Sequence, residues 1–304
     1  MSDHPLVKRL FEQWRTFFGE ATEYGEWSSK IEEKKEFRAF VKGMGLKPEA
    51  AEAPRVFFAL HTYYALLLKL VASLAAERFA GGVRTPLSRM ASEEDDRLHK
   101  SFVEIENGGL FRQYVIRNFL EGDFFGWYTV AWNGAIALAV RGLVKRLLEY
   151  DASSLELAPE NARDLLKKLY HYLLPREIRH DLGEYYTPDW LAERLVVMTL
   201  GEADLGDATK RVVDPACGSG TFLMILMKYI RARAVARRRN PADVLKLILS
   251  NVIGIDLNPL AVIAARTNYL LGLGDLLRHR EGEIDIPVYQ ADSVMMPGRL
   301  VLLC

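Results

Sequence analysis

Short apolar runs rich in β-branched residues, each followed by a turn and a helical pattern, dominate the sequence after residue 175. Three of these runs have the length and composition of strands, namely Lys210–Val213, Val252–Asp256 and Ile286–Ala291. Strands that alternate with helices favour a parallel sheet covered by helices on both faces. The alternation therefore predicts an α/β domain over residues 176–304, with its boundary between Leu174 and Gly183.

Residues 1–175 have a helical pattern instead. Apolar residues recur at three- and four-residue spacing from Leu6 to Phe18 and again from Phe57 to Leu68. Turn-forming pairs such as Gly81-Gly82 interrupt this pattern. We expect an N-terminal helical domain whose aromatic residues form its core rather than a surface on which bases stack.

Composition excludes several classes of protein. The 40 basic and 40 acidic side chains give no net charge, so no overall field draws the protein to nucleic acid or to an anionic membrane. The two cysteines, Cys217 and Cys304, exclude a disulfide scaffold and favour a cytoplasmic protein. The start lacks the pattern of a secretory signal, and the apolar stretches 56–76 and 124–140 are expected to be buried helices rather than membrane spans.

The segment from Val212 to Leu223 has the pattern of a strand, a loop of small residues and a helix that starts near Thr221. Glycines 218 and 220 allow the backbone to pass close to a ligand, because neither has a Cβ. The segment is not a dinucleotide fingerprint, since Leu223 occupies the place of the third glycine, and no Gly-Lys-Ser/Thr follows as in a P-loop.

The run Asp-Pro-Ala-Cys-Gly-Ser-Gly-Thr-Phe, residues 214–222, resembles motif I of S-adenosylmethionine-dependent DNA methyltransferases that act on the N6 amino group of adenine. In that family the loop surrounds the methionine part of the cofactor. The resemblance implies a Rossmann-like class I methyltransferase domain and a cofactor pocket that includes Asp214, Cys217, Gly218, Ser219, Gly220, Thr221 and Phe222.

A second segment, Gly-Glu-Tyr-Tyr-Thr-Pro at 183–188, is similar to the motif that precedes the first strand in type I modification subunits and related large enzymes. Locally, Thr187 can cap a helix and Pro188 suits its first position. The resemblance implies that Tyr185, Tyr186 and Thr187 lie near the methionine end of the cofactor.

The strand Val252–Asp256 ends in a carboxylate, which can accept hydrogen bonds from both hydroxyls of a ribose. We therefore assign Asp256 to the ribose and include Leu257 in the pocket. Asn258 and Pro259 are explained as the cap and first residue of the next helix. The separation of 42 positions from Asp214 to Asp256 leaves room for an extra helix that starts at Asn240-Pro241.

A further segment, 287–293, resembles motif III, in which an aspartate at a strand end accepts a hydrogen bond from the adenine amino group. This implies a cofactor contact for Asp292, although Ala-Asp-Ser also occurs at ordinary strand exits. The arginine-rich run 231–239 is expected to be a solvated helix end rather than a DNA contact, because it lies at the far end of the helix that begins at the loop. The histidines show no metal-ligand spacing.

The family grips its flipped adenine with an Asn/Asp-Pro-Pro-aromatic motif, and none of the 12 prolines here is adjacent to another. No catalytic residue is therefore assigned. We expect a fragment with the cofactor-binding half of the domain, whose first strand becomes a sheet edge that favours association. By itself the chain is expected to transfer no methyl group.

Together these observations predict an adenine-specific DNA methyltransferase of a restriction-modification or defence system. Its predicted cofactor is S-adenosylmethionine, and its predicted partners are DNA and possible specificity or nuclease subunits, without a membrane. A methyltransferase acting on RNA, protein or a small molecule stays open, since the fold does not fix the substrate. A non-enzymatic scaffold remnant of such an enzyme also stays open.

Overall fold

A computed structural model describes residues 4–22, 31–80, 87–149 and 187–295. The chain divides into two compact units. The first contains the described residues of 1–74, 84–110 and 120–186, and the second contains those of 75–83, 111–119 and 187–304. Two stretches of the helical part thus group with the second unit. The predicted boundary near residue 175 lies outside the described residues.

The described residues before 150 are helical, as predicted, and Ile116 makes an isolated β-bridge. Two 3₁₀ turns, Pro48–Ala50 and Phe124–Gly126, separate some of the helices. The α-helices are α1 (Pro5–Thr22), α2 (Lys35–Gly43), α3 (Ala53–Ala80), α4 (Leu87–Met90), α5 (Asp95–Glu106), α6 (Gly109–Gln113), α7 (Trp127–Val130) and α8 (Gly134–Glu149).

Aromatic side chains form the core of the first unit. Trp14 of α1 stacks on Phe18 with ring centroids 5.0 Å apart and lies 5.1 Å from Phe58 of α3. The imidazole of His61 meets the Phe18 ring edge-on at 5.1 Å. All four side chains are buried, so the predicted aromatic core is confirmed here.

A buried ion cluster lies within the same unit. The Lys69 ammonium contacts Glu106 Oε2 at 2.5 Å and Asp123 Oδ2 at 2.7 Å, and Lys69 is fully buried. Tyr128 Oη donates to Glu106 Oε1 at 2.6 Å, and the backbone N–H of Phe125 donates to Asp123 Oδ1 at 2.7 Å. Burial raises the pKa of the Glu106 carboxyl even though Lys69 opposes that shift.

The second unit is built on three parallel strands, β1 (Val212–Asp214), β2 (Val252–Asp256) and β3 (Val288–Gln290), in the order β1-β2-β3. The three predicted strands are confirmed, although the first and third are shorter than expected. Helices α10 (Thr221–Ala236), α11 (Pro241–Asn251) and α12 (Pro259–Leu273) contact β2, and α9 (Asp189–Asp204) packs on α10. The unit is thus helix-rich with a small parallel sheet.

Strand β1 lies at one edge of this sheet, as predicted. Among the described residues it pairs with β2 alone, with Asp214 opposite Gly254. Half of the Val213 side chain is exposed. Beside this edge, α9, β1 and α10 line a mostly apolar groove of about 200 Å³. The edge therefore presents both backbone groups and apolar surface.

The helix starts follow the predicted capping chemistry in two cases. Asn240 and Asn258 each accept a hydrogen bond from the N–H two residues later, ahead of Pro241 and Pro259. The third prediction is wrong by one residue. Helix α9 begins at Asp189 with Pro188 in an extended conformation as its N-cap, so Thr187 lies outside the helix and does not cap it.

Two helical segments have the length and apolar composition of a membrane span, 53–80 and 259–279. The most apolar window is 83% buried in the first and 89% buried in the second, as expected for core helices. The first confirms the buried helix predicted at 56–76. The prediction at 124–140 is wrong, because a 3₁₀ turn and two separate helices occupy that stretch.

Candidate cofactor-binding site

The loop that follows β1 is shaped by two glycines in the left-handed region. Gly218 has a φ of 53° and Gly220 a φ of 85°, conformations that other residues adopt only with strain. The Gly220 N–H donates to Cys217 O at 2.8 Å, which closes the turn before α10 starts at Thr221. A Cβ on Gly218 would meet no atom within 4 Å, so the space beside this residue is open.

Cys217 anchors the loop to the sheet. Its N–H donates to Ile255 O at 2.9 Å, and its side chain is buried. A Cβ on Gly254 of β2 would lie 3.0 Å from Cys217 Sγ and 2.7 Å from Leu223 Cδ1. The absence of a side chain at Gly254 thus creates the room that the loop needs. Burial raises the pKa of the Cys217 thiol, and the nearby carboxylates raise it further, which keeps the sulfur protonated and unreactive.

The Asp256 carboxylate holds the loop from the end of β2. Its Oδ2 accepts from Gly218 N–H at 2.8 Å, and its Oδ1 accepts from Asn258 N–H at 2.9 Å. Each carboxylate oxygen can accept more than one hydrogen bond, so both oxygens keep capacity for a ligand hydroxyl. The carboxylate is thereby fixed before any ligand arrives.

Asp214 has an unused acceptor. Its Oδ1 accepts from Ala216 N–H at 3.2 Å, whereas its Oδ2 is buried and has no hydrogen-bond partner among the described residues. Burial raises the pKa of Asp214, and the charge of Asp256 adds to that shift. A buried carboxylate oxygen without a partner is unfavourable, so the site suits a ligand that brings a donor or a positive charge.

The end of β3 lies next to the end of β2. Gln290 pairs with Asp256 in the ladder, and Ala291 N–H donates to Asp256 O at 3.0 Å. Asp292 follows and is exposed; its Oδ1 accepts from the N–H groups of Val294 and Met295 at 2.9 and 3.0 Å. The turn at the strand exit is thus one structural role of Asp292. Leu257, 43% exposed, accepts from Gln290 Nε2 through its carbonyl at 3.3 Å.

The remaining predicted residues are placed less centrally. Thr221 is buried at the first position of α10, and Phe222 lines the groove beside β1 together with Asp214. Among the residues that the structure describes, no hydrogen bond links Thr187 to the loop after β1. Tyr185 and Tyr186 lie outside the described residues.

Asn268 of α12 was not anticipated. Its Nδ2 donates to Ser219 O at 2.8 Å, and its Oδ1 is buried without a hydrogen-bond partner in the described part of the chain. The one available signal is a short polar run, Arg266–Asn268, within the mostly apolar helix Pro259–Leu273. Its side chain therefore supports the loop from α12.

The arginine-rich run lies at the other end of α10. Arg231 donates to Leu273 O at 2.5 Å, and Arg233 donates to the carbonyls of Ala203 and Leu205 at 2.8 and 2.9 Å. Arginines 237, 238 and 239 are exposed. This arrangement agrees with the prediction of a solvated helix end. Within the described residues, no group of histidine, cysteine and acidic side chains has the arrangement of a metal site.

Comparisons with known proteins agree with the motif resemblance. Residues 161–277 match the family model described as N-6 DNA Methylase. The chain is 25% identical, over 245 aligned residues, to a protein of Methanocaldococcus jannaschii that is provisionally named a type II restriction enzyme and methyltransferase. That alignment covers 63% of this chain and 20% of the relative, so the chain spans about a fifth of the relative's length. No solved structure matches.

Both matches are to proteins of DNA methylation, by the printed description of the family model and by the name of the relative. The predicted family resemblance is confirmed. The matched region includes β1, the loop, β2 and α12, and it ends before β3 and Asp292.

Proposed function

We propose that this chain, whose matches support the N6-adenine DNA methyltransferase family, carries the S-adenosylmethionine-binding half of a Rossmann-like domain that methylates adenine N6 in DNA. The observation that carries the proposal is the hydrogen bond of 2.8 Å from Gly218 N–H to Asp256 Oδ2. It joins the small-residue loop to a strand-end carboxylate, the pair of features with which nucleoside-binding α/β folds hold their ligands.

The carboxylates fit the chemical groups of this cofactor. Asp256 keeps acceptor capacity for the two ribose hydroxyls, and the unpartnered Oδ2 of Asp214 suits the ammonium group of the methionine part. The open space beside Gly218 allows the backbone to approach a ligand. When bound, the cofactor supplies an activated methyl group on a sulfonium.

In this proposal the pocket has three parts. The ribose is held by Asp256 and Leu257, and the adenine amino group donates to Asp292. The methionine part is surrounded by Asp214, Cys217, Gly218, Ser219, Gly220, Thr221 and Phe222, together with Tyr185, Tyr186 and Thr187.

The substrate assignment rests on the family. We assign DNA as the partner, restriction-modification as the context and the cytoplasm as the location, with specificity or nuclease subunits as candidate partners. The 304 residues contain no Asn/Asp-Pro-Pro-aromatic run to hold a flipped adenine. Positioning of the acceptor nitrogen supplies much of the rate in such a reaction. We therefore propose that this chain alone binds cofactor and transfers no methyl group.

Calorimetric titration with S-adenosylhomocysteine tests the proposal. We expect binding by the unmutated chain and a loss of at least about tenfold in affinity for Asp256→Ala, because a carboxylate that receives two hydroxyls contributes at least one strong hydrogen bond. Asp243→Ala is the matched control, since Asp243 lies in the first turn of α11 and should leave the affinity unchanged.

A folded, unmutated chain that binds no S-adenosylhomocysteine contradicts the proposal. An equal loss of affinity for Asp243→Ala and Asp256→Ala contradicts the assigned role of Asp256. In a parallel assay with labelled cofactor and mixed genomic DNA, incorporation of label well above a no-enzyme control contradicts the proposed inactivity of the chain alone.

A further inference from the structure

A stretch of the helical part pairs with the chain just ahead of β3. Ile116 and Ile284 form a parallel β-bridge, in which Arg117 N–H donates to Ile284 O at 3.1 Å and Ile284 N–H donates to Val115 O at 2.9 Å. Both stretches belong to the second compact unit, although 168 positions separate Arg117 from Asp285. Residues 115–118 therefore act as an additional short strand in that unit.

The Asn118 side-chain amide extends this pairing, because it makes the two hydrogen bonds to Ile286 that a backbone strand would make. Its Nδ2 donates to Ile286 O at 2.9 Å, and its Oδ1 accepts from Ile286 N–H at 2.8 Å. Asn118 is buried, so bulk water cannot replace its side chain as the hydrogen-bond partner of the Ile286 N–H and C=O groups. Asn118 thus fixes the chain two residues before β3 begins.

Arg266 of α12 fixes β3 itself. Its Nε donates to Val288 O at 2.9 Å, and its Nη1 donates to Phe119 O at 3.3 Å. Only 3% of Arg266 is exposed. One buried guanidinium therefore connects the first residue of β3 with the 111–119 stretch.

Val115 indicates that this pairing is maintained against local strain. Its φ of 65° lies in the left-handed region, which is unfavourable for a β-branched residue. The turn directs the following residues alongside Ile284 and makes the Val115 carbonyl available to the Ile284 N–H. Strained backbone of this kind persists where the surrounding structure holds it, and it is commonest at functional sites.

We propose that Asn118 and Arg266 are positioning residues that fix β3 and thereby set recognition of the adenine end of the cofactor. This inference rests on the proposed function, in which Asp292 accepts from the adenine amino group. The connection runs along β3, because Gln290 pairs with Asp256 and Ala291 N–H donates to Asp256 O at 3.0 Å. A shift of β3 therefore moves Asp292 relative to the ribose carboxylate.

The test compares S-adenosylhomocysteine with S-inosylhomocysteine, which replaces the adenine amino group by an oxygen. Calorimetry on the full chain measures the affinity for both ligands, and urea unfolding measures stability. We expect Asn118→Ala to weaken S-adenosylhomocysteine binding about tenfold and to leave S-inosylhomocysteine binding nearly unchanged, as for the loss of one hydrogen bond. The ratio of the two affinities, which measures the preference for S-adenosylhomocysteine over S-inosylhomocysteine, therefore also falls about tenfold.

Two further variants make the result specific. Asn118→Ser keeps one uncharged hydroxyl that can donate to Ile286 O or accept from its N–H. It should give an intermediate loss and provides a milder change if Asn118→Ala does not fold. Asn251→Ala is the matched control, because Asn251 is equally buried and donates to Ala208 O, away from β3. It should lower stability and leave the ligand preference unchanged.

The inference is overturned if Asn118→Ala and Asn251→Ala weaken S-adenosylhomocysteine binding equally, or if the preference between the ligands does not change in Asn118→Ala. Failure of the unmutated chain to bind either ligand overturns the proposed function, and this inference with it. The positioning role is supported if the preference for S-adenosylhomocysteine falls in Asn118→Ala and falls less in Asn118→Ser.

Discussion

His61 is a buried imidazole among aromatic rings, and no described residue makes a hydrogen bond to its Nε2. Burial lowers the pKa of His61 from 6.5 to about 3. The unfolded chain therefore binds a proton at His61 below pH 6.5 that the folded chain does not bind. The aromatic core therefore packs around the neutral form of the His61 side chain.

We expect the free energy of unfolding to fall as the pH drops below 6.5, by up to about 1.4 kcal/mol per pH unit from this residue alone. His61→Leu should remove that part of the pH dependence and should not destabilise the chain at neutral pH, because it removes an unpartnered polar atom. Urea unfolding of both chains between about pH 7 and about pH 4 measures the difference.

The difference between the two chains is the informative quantity, since other groups also titrate. The raised pKa of Glu106 acts in the opposite direction, because its contribution is present below the usual glutamate pKa and is lost as the pH rises through the raised value. Parallel pH profiles for the unmutated chain and His61→Leu would show that His61 does not stay neutral in the folded chain.

At the scale of the element, α10 ends in a turn that normally favours glycine. Arg238 N–H donates to Val235 O at 3.1 Å and Arg239 N–H donates to Ala234 O at 3.0 Å, the two bonds of a Schellman motif. Arg238 occupies its left-handed position with a φ of 50° and is exposed. The helix therefore ends with local strain that a glycine would remove.

We expect Arg238→Gly to raise the free energy of unfolding by about 0.5–1 kcal/mol, since glycine adopts this conformation without the steric penalty. Arg237→Gly is the control, because Arg237 is the C-cap with a φ of −95° and gains nothing from glycine. Urea denaturation at neutral pH compares the three chains. A fall in stability for Arg238→Gly would show that the arginine side chain contributes more than the strain removes.

Local patterns predicted the strands and helix starts of the second unit because those features depend on neighbouring residues. The β-branched run Val252–Asp256 and the caps Asn240 and Asn258 are examples. The pairing of Asn118 with Ile286 could not be predicted, since the contact joins residues 168 positions apart without a local signature. The cluster of Lys69, Glu106 and Asp123 could not be predicted either, because its residues come from separate segments of the chain.

The candidate site was anticipated to a similar extent. The motif located Asp214, the loop and Asp256, which the structure brings together. The sequence places Gly254 within the predicted strand. Its role could not be predicted, because it depends on how Cys217 and Leu223 pack against it. Asn268 supports the loop from α12, a contact that follows from how the helix packs rather than from any spacing.

At the scale of the molecule, the β1 edge has consequences for association. Backbone groups of β1 face outward from the described sheet, and the neighbouring groove is lined by apolar side chains of α9 and α10. Exposed edges of this kind favour pairing with another strand. The edge is therefore the surface on which we expect contacts between copies of this chain at high concentration.

We expect sedimentation velocity to show concentration-dependent association of the unmutated chain, and Val213→Lys to reduce it, because a charge on an edge strand opposes pairing. Val235→Lys is the matched control, since Val235 is 79% exposed on α10 and does not line the groove. Equal behaviour of the two variants would locate the association elsewhere on the protein.

The pairing of residues 115–118 with 284–286 also determines when the second unit can be completed during synthesis. At about 5–20 residues per second, the ribosome needs roughly 10 to 30 s to add the 168 residues that separate Asn118 from Ile286. Throughout that interval the Asn118 side chain lacks both groups of Ile286, and the Val115 carbonyl lacks the Ile284 N–H. We therefore expect residues 111–119, whose Phe111, Ile116 and Phe119 are buried in the complete chain, to be accessible to chaperones until β3 emerges.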